Sequence, residues 1–391
     1  MSTLDQVDGL RMIRVDHTGG LRQPASLRQL VREYRADRVS EAELREGQQR
    51  AVQDVIAKQE QLGLPVVSDG EFFRIGGFQE SFGGAVTGFD AIPYKEWDSA
   101  QPEPVAAGSA GAPPRREESG VSGPGPAILH RLPVKERLRL VRNLILEEYR
   151  FGASVSETPV KVTLIGPDRI LQRFEYESST GVYADPEEFL ADVVAIERRM
   201  IEEVVAAGCR YVQIDEPGYT AYVDPILTAK MRERGEDPHA NLARSIEADN
   251  ELIAGFPGVT FAVHVCRGGG GGRGGPAPHR EGTYDAIAEQ LFSEARFDRF
   301  LLEYDGEHAG SFSALRFMPR DRVAVLGIAS NHGPVEPIDY LKQRLDEASR
   351  YIDLEQVAVC PRCGMRRIAT EEMQWDKLRA LQAVAADVWS G

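Results

Sequence analysis

Short apolar segments recur along the chain, and the stretches between them are mostly helical in pattern. Continuous apolar runs of this length are typical of strands that are buried on both faces, as in a parallel sheet. Eight such units in one chain predict an α/β protein built as a (β/α)8 TIM barrel, with a doubly wound open sheet as the alternative fold. The eight predicted strands lie at 11–16, 64–71, 160–167, 208–217, 261–266, 300–305, 323–329 and 357–360.

One stretch interrupts this alternation of strands and helices. Residues 99–130 are rich in Pro, Gly, Ala and Ser and have no hydrophobic periodicity, which is typical of a segment that cannot form a packed core. The alternation continues on both sides of this segment. The sequence therefore predicts a single barrel domain over residues 1–391, with a disordered or lid-like loop insertion at 99–130.

Charge and hydropathy exclude several classes of function. The net charge of −15 argues against nucleic acid or an anionic membrane as a partner, because both require a basic face. No apolar run reaches the roughly 20 residues of a transmembrane helix, and the start of the chain lacks the pattern of a signal peptide. We therefore expect a cytoplasmic protein, in which four cysteines indicate metal binding or catalysis rather than disulfides.

Polar residues are concentrated just after the predicted strands. In a TIM barrel these carboxyl ends of the strands meet at one mouth, which holds the active site. The candidates are His17, Asp69, Glu71, Asp215, Glu216, His264, Cys266, Glu303, Asp305, Asn331, His332 and Cys363.

Four of these residues have the side chains of a zinc site. His264 and Cys266 are two residues apart in a strand, so both side chains point to the same face. Glu303 ends the next strand, and Cys363 follows the last one. Imidazole, thiolate and carboxylate are the usual ligands of Zn²⁺. The alternative is a core His, a buried Cys and a loop Glu that bind no metal. Cys360, the last residue of the eighth predicted strand, is expected to be a buried structural cysteine.

Carboxylates after the strands add further candidates. Asp69, Glu71 and Asp215 follow two of the strands and could hold an ammonium group or transfer protons. Alternatively, they only cap helices.

A basic, glycine-rich loop lies further along the chain. The glycine-rich stretch 268–275 is flanked by Arg267 and Arg280. The glycine-rich stretch is interpreted as a flexible loop over the site. The alternative is that its basic residues bind an anionic group of a substrate.

The order of these motifs resembles cobalamin-independent methionine synthase. The sequence has D-G-E at 69–71, I-D-E-P at 214–217, H-V-C at 264–266, a strand-end Glu303 and C-G-M at 363–365. The resemblance is to the catalytic C-terminal barrel of that family and to its short single-barrel relatives. It implies a TIM barrel whose zinc binds the substrate thiol, with His264, Cys266, Glu303 and Cys363 as the zinc ligands.

The resemblance also implies a substrate site. Glu71 and Asp215 match family residues that hold the amino group of homocysteine. Thr18 and Gly19, with Gly20, occupy the place of a turn that contacts the amino acid, although Gly20 stands where the family usually has Ser. His17, directly before this turn, is interpreted as a further substrate contact or as a supporting residue.

The implied reaction is the zinc-dependent transfer of a methyl group to homocysteine, giving methionine. Such a methyltransferase would bind a small-molecule thiol and an alkyl donor, for which a folate or a corrinoid is possible. His332, Asp305 and Asp69 are the candidates for the general acid. The alternatives are an epoxyalkane:coenzyme M transferase, a methyl-ether demethylase, and an inactive protein with a structural zinc. The oligomeric state stays open.

Overall fold

The computed structural model describes residues 9–77, 79–89, 133–267, 280–306 and 309–389. Its main sheet has six parallel strands, β3 to β8, and each pairs with the next strand in the sequence. Two short strands, β1 and β2, form a separate antiparallel pair. The strands are β1 (Val86–Thr87), β2 (Arg139–Leu140), β3 (Val162–Ile165), β4 (Tyr211–Asp215), β5 (Thr260–Val265), β6 (Arg299–Glu303), β7 (Val323–Ala329) and β8 (Val357–Pro361).

Helices follow the strands and cover the outside of the sheet. They are α1 (Ala25–Arg35), α2 (Glu41–Gln61), α3 (Glu80–Gly83), α4 (Leu144–Ser154), α5 (Pro167–Leu171), α6 (Pro186–Ala206), α7 (Pro225–Glu233), α8 (Pro238–Ile253), α9 (Ala288–Glu294), α10 (Ile338–Ala348) and α11 (Glu371–Trp389). Short 3-10 helices lie at Pro217–Tyr222, Tyr284–Ala286, Phe312–Phe317 and Leu354–Gln356. Within the described ranges, no helix is long and apolar enough to cross a membrane.

The helix starts follow from local sequence. α6, α7 and α8 each begin with an Asp-Pro pair, at Asp185, Asp224 and Asp237. Each aspartate accepts a hydrogen bond from a backbone N–H of the first turn. The proline occupies the first helical position, where its missing N–H costs nothing. The Asp-Pro pairs therefore fix where these three helices begin.

Two further segments complete the barrel on either side of the six-stranded sheet. Val15 forms a parallel bridge with Val359 of β8, and Val67 forms one with Val160 just before β3. These two segments also contact each other, since Ser68 Oγ donates to the Gly19 carbonyl at 2.8 Å. The eight positions therefore form the predicted (β/α)8 TIM barrel.

The first two strands are shorter than the sequence predicts. Residues 9–11 are helical rather than extended. After Val15 and Val67 the chain soon turns through residues with positive φ, namely Gly19 at 91°, Gly70 at 71° and Glu71 at 59°. A left-handed backbone cannot continue a strand. These turns therefore limit each segment to one bridge and place their polar residues at the mouth.

The barrel interior contains a charged layer that supports the mouth. Asp16 accepts hydrogen bonds from Lys161 Nζ at 2.8 Å and from Arg299 Nη2 at 3.1 Å, and also from the Tyr211 hydroxyl. Burial alone would raise the pKa of Asp16, but the charges of Lys161 and Arg299 hold it below its usual range. This layer is fully paired, so it has a structural role.

Candidate functional site

Three predicted zinc ligands lie together at the mouth of the barrel. His264 is near the end of β5, Cys266 follows that strand, and Cys363 follows β8. The imidazole nitrogen and the two sulfur atoms all lie within 4.8 Å of one another. His264 and Cys266 are buried, and Cys363 is half-buried. One histidine and two cysteines at this spacing can bind a single ion.

A carboxylate orients the histidine. His264 Nδ1 lies 3.1 Å from Asp215 Oδ1, because the parallel register places Asp215 of β4 beside His264 of β5. Gln213 Nε2 donates to the same oxygen at 2.7 Å. His264 Nε2 is buried and has no hydrogen-bond partner among the described residues. A histidine held at one nitrogen by a carboxylate, with the other nitrogen free, has the usual arrangement of a metal ligand.

The protonation states of His264, Cys266 and Cys363 indicate whether a metal cation would fit between them. Hydrogen bonding from Cys363 and the positive charge of His264 lower the pKa of the Cys266 thiol well below its usual value. Burial lowers the pKa of His264, but the Cys266 thiolate and Asp215 together raise it to about 10. Protons on His264 and Cys363 therefore compensate the negative charges of the site. A zinc ion could replace these protons, so the side chains fit this metal.

The fourth predicted ligand, Glu303, is fixed next to this group. The carboxylate is buried at the end of β6 and lies outside the cluster of three ligand atoms. Its Oε2 accepts from the Arg267 backbone N–H at 3.0 Å, and its Oε1 pairs with Arg362 Nη1 at 3.3 Å. The negative charge of Glu303 opposes ionisation of both Cys266 and Cys363. The structure thus places Glu303 close to the thiols, with its carboxylate bound by Arg362.

Two of the predicted substrate contacts are buried carboxylates that influence each other. Glu71 Oε1 accepts from Thr163 Oγ1 at 3.2 Å and lies 3.4 Å from Arg74 Nη1. Burial raises the pKa of Glu71, and the nearby charge of Asp215 raises it further, although Arg74 and Arg366 oppose this. A cation between Glu71 and Asp215 would relieve their repulsion.

The predicted glycine turn lies against these residues. A Cβ on Gly20 would lie 3.2 Å from Glu71 Oε2, and the Gly20 carbonyl accepts from the Met365 N–H at 2.8 Å. A Cβ on Gly19 would lie only 2.4 Å from Thr163 Cγ2. The Thr18 carbonyl accepts from Gln213 Nε2 at 3.1 Å. The turn thus connects the Glu71 side of the mouth to the loop that carries Cys363.

His17 lies deeper than this turn. Its Nδ1 accepts from the Gly19 N–H at 3.2 Å, and its buried Nε2 has no partner in the part of the chain that the structure describes. Burial, together with the charge of Lys161, lowers the pKa of His17 to about 3. His17 is therefore neutral at physiological pH and holds the turn in place.

The three candidate general acids differ in their surroundings. Asp69 is buried, and its Oδ2 has no partner among the described residues. Burial and the charge of Glu148 raise the pKa of Asp69 to about 7. Asp305 instead forms an ion pair with Arg362 at 3.2 Å, and His332 is exposed. Of the three, Asp69 has the surroundings of a carboxyl group that keeps its proton near neutral pH.

One residue at the site had no clear signal in the sequence, and one predicted candidate lies away from the site. Arg362 precedes Cys363 in C-P-R-C, yet nothing in the motif indicated its ion pairs with Glu303 and Asp305. Glu216 follows the ligand-orienting Asp215 but faces away, accepting from the backbone N–H groups of Asp168 and Arg169. Of the basic stretch, 268–279 lies outside the described residues, as does the 99–130 insertion.

Comparisons with known proteins agree with this fold. Residues 18–112 match the family model described as "Cobalamin-independent synthase, Catalytic domain". The uncharacterized protein YxjH of Bacillus subtilis is 28% identical, covering 96% of this chain and 94% of that protein. A methionine synthase of Pyrococcus abyssi is 21% identical, covering 91% of this chain and 88% of that protein.

Two solved structures have the same fold over almost the whole chain. The putative vitamin-B12 independent methionine synthase from Listeria monocytogenes superposes with a TM-score of 0.69 at 23% identity, covering 96% of this chain and 98% of that one. A B12-independent methionine synthase from Shewanella sp. W3-18-1, solved with selenomethionine, gives a TM-score of 0.70 at 18% identity, covering 97% and 98% of the two chains.

Proposed function

Because the chain resembles the cobalamin-independent methionine synthases in its matched segment and in its fold, we propose that it transfers a methyl group to a thiol. Homocysteine is the acceptor that the site fits best. The observation that carries this proposal is the convergence of His264, Cys266 and Cys363 at the mouth of the barrel. His264 Nε2 has no hydrogen-bond partner in the described part of the chain, which supports a ligand role for that residue.

The site residues divide into ligands and supports for a zinc ion. His264 Nε2 and the sulfur atoms of Cys266 and Cys363 would hold it, with Glu303 as the fourth ligand. Asp215 orients His264, and Arg362 positions Glu303. Bound zinc would supply a Lewis acid that keeps the acceptor sulfur deprotonated at neutral pH.

The neighbouring carboxylates suit the amino group of the acceptor. Glu71 and Asp215 are both buried, and a substrate ammonium between them would be held by charge-assisted hydrogen bonds. Gly20 keeps side-chain atoms away from the Glu71 carboxylate, because a Cβ at this position would lie 3.2 Å from Glu71 Oε2. The turn of Thr18 and Gly19 lines the same part of the mouth.

Transfer of an alkyl group leaves a basic atom on the donor, and this atom needs a proton. Asp69 has the raised pKa of a proton donor, and its Oδ2 is unpartnered among the described residues. Its Oδ1 is fixed by the Glu71 N–H at 2.9 Å. We therefore assign Asp69, rather than Asp305 or His332, as the general acid.

Zinc-edge X-ray absorption tests this function. On protein with one zinc, adding homocysteine is expected to add one sulfur neighbour, whereas a coenzyme M-type thiol is not. A gain with coenzyme M alone would replace the proposed acceptor by the alternative one. No gain with either thiol would indicate a structural zinc and contradict the proposal.

Cysteine variants test the ligands separately. Cys266→Ser and Cys363→Ser are expected to lose zinc and activity together. Cys360→Ser is the matched control, because Cys360 lies in a hydrophobic cluster with Ala358 and Leu301, outside the group of ligand atoms. Full zinc content in both ligand variants would disprove the assignment.

A further inference from the structure

Two buried arginines contact the segment that follows β4 and have no role in the site described so far. Arg169 is in α5, and Arg280 resumes the described chain after Arg267; their exposed fractions are 4% and 8%. Arg280 Nη1 donates to Thr220 Oγ1 at 2.8 Å, and Thr220 Oγ1 donates to the Cys266 carbonyl at 2.8 Å. Arg280 is therefore linked to the backbone of Cys266 through a single hydroxyl group.

Among the described residues, Arg169 lacks the acceptors that a buried guanidinium needs. Its Nε and Nη1 are buried and have no hydrogen-bond partner among the described residues. Its backbone N–H donates to Glu216 Oε2 at 3.2 Å. A buried charged donor without an acceptor is costly. Such a group is explained most simply by an acceptor that is part of a ligand.

The electrostatics around these arginines agree with that explanation. Burial, followed by the positive charges of Arg280 and Arg173, lowers the pKa of Arg169 to about 9. The contacts also place the two arginines on one segment. The Arg169 backbone N–H donates to Glu216 Oε2, and Arg280 Nη1 donates to the Pro217 carbonyl and to Thr220 Oγ1. An anion between the two guanidinium groups would relieve their repulsion and accept from the Arg169 N–H groups that have no partner among the described residues.

We propose that Arg169 and Arg280 form an oxyanion subsite beside Cys266, which takes a carboxylate, sulfonate or phosphate group of a substrate. The planar guanidinium offers paired N–H groups that match two oxygens of such an anion. The existence of the subsite is independent of methyl transfer. Its assignment to the thiol acceptor or to the alkyl donor depends on the proposed function.

Calorimetric titration with inorganic sulfate and with 3-mercaptopropionate tests the subsite. The wild-type protein is expected to bind both probes, and Arg169→Gln is expected to bind them about tenfold more weakly or worse, since charge-assisted bonds are among the strongest hydrogen bonds. Arg350→Gln is the matched control, because Arg350 is exposed and its loss changes the net charge equally. Equal binding to wild type and Arg169→Gln would overturn the proposal and leave the proposed function untouched.

A stability measurement separates a binding role from a structural one. Without anions, Arg169→Gln is expected to raise the melting temperature, because it removes a buried charge that lacks acceptors. Sulfate is expected to stabilise the wild type more than the variant. A lower melting temperature for Arg169→Gln together with an unchanged response to sulfate would show that Arg169 is structural and would overturn the proposal.

The zinc-loaded protein shows which substrate carries the anion. If the thiol carries it, 3-mercaptopropionate binds more tightly than the neutral 2-mercaptoethanol, and Arg169→Gln abolishes the difference. If the donor carries it, the two thiols bind alike and sulfate still binds while a thiol is bound. Both results support the subsite. Sulfate and acidic thiols that bind no better to wild type than to Arg169→Gln would refute it.

Discussion

The contact between Asp215 and His264 gives a graded prediction for zinc affinity. Asp215 Oδ1 accepts hydrogen bonds from both His264 Nδ1 and Gln213 Nε2, at 3.1 and 2.7 Å. In Asp215→Asn, the amide oxygen can still accept both bonds, and the Gln213 donor holds it toward the histidine. The variant loses the negative charge but keeps the orientation of the ring. Asp215→Ala loses both and leaves Nδ1 buried without a partner.

The magnitudes follow from these two losses. Replacing a charge-assisted hydrogen bond by a neutral one costs about 1 kcal/mol, so Asp215→Asn is expected to bind zinc about fivefold more weakly. Removing the supporting carboxylate altogether typically weakens metal binding by about 10- to 100-fold. Asp215→Ala is therefore expected to fall in that range, with Asp215→Asn between it and the wild type.

Competition with a chromophoric zinc chelator at fixed pH measures the three affinities. Asp321→Asn is the control, because Asp321 is an exposed residue and its replacement changes the net charge in the same way. Equal affinities for wild type and Asp215→Ala would refute the reasoning. The variant His264→Ala would then show whether His264 is a zinc ligand. If it is not, this variant would bind zinc as tightly as the wild type.

Three further predictions concern proton transfer, packing and pH. Asp69→Asn is expected to lower kcat by about 100-fold or more while leaving thiol binding unchanged in the absorption experiment; an unchanged kcat would exclude Asp69 as the acid. Gly19→Ala is expected to lower the free energy of unfolding by about 2–5 kcal/mol in urea titrations, from overpacking and a disfavoured φ, and Gly181→Ala, with nothing within 4 Å of the new Cβ, should stay near wild type. Burial and the charge of Asp249 raise the pKa of Glu197 well above 4.5 in the folded state, so folding retains a proton that the unfolded chain loses. The contribution of this proton to the free energy of unfolding is complete below pH 4.5. It is lost as the pH rises toward the pKa of the folded state, by at most about 1.4 kcal/mol per pH unit. Glu197→Gln should remove this slope, and parallel pH profiles for the wild type and the variant would contradict the prediction.

The sequence could predict the residues of the site better than their contacts. Residues two apart in a strand share a face, so His264 and Cys266 could be assigned to one site without a structure. The strand-end rule placed Glu71, Asp215 and Glu303 at the same mouth. It could not predict that Asp215 would contact His264, since this depends on the register of β4 and β5. Periodicity also missed Arg169, whose significance depends on its lack of acceptors among the residues that the structure describes.

The charges at the mouth explain why the site requires ligands of both signs. Arg74 is engaged by Glu148, at 2.6 Å, and Arg362 by Asp305 and Glu303, so these arginines are already partnered. Asp215, Cys266 and Cys363 have no comparable arginine partner among the described contacts, and Asp215 contacts His264 instead. A metal cation would replace the protons of His264 and Cys363, and a substrate ammonium would add positive charge beside Asp215, whereas Arg169 lacks an anionic partner among the described residues. A zwitterionic substrate next to a bound metal cation would supply an ammonium group for the carboxylates and an anionic group for Arg169, and an acidic substrate would supply the anionic group. A neutral thiol would supply neither charge.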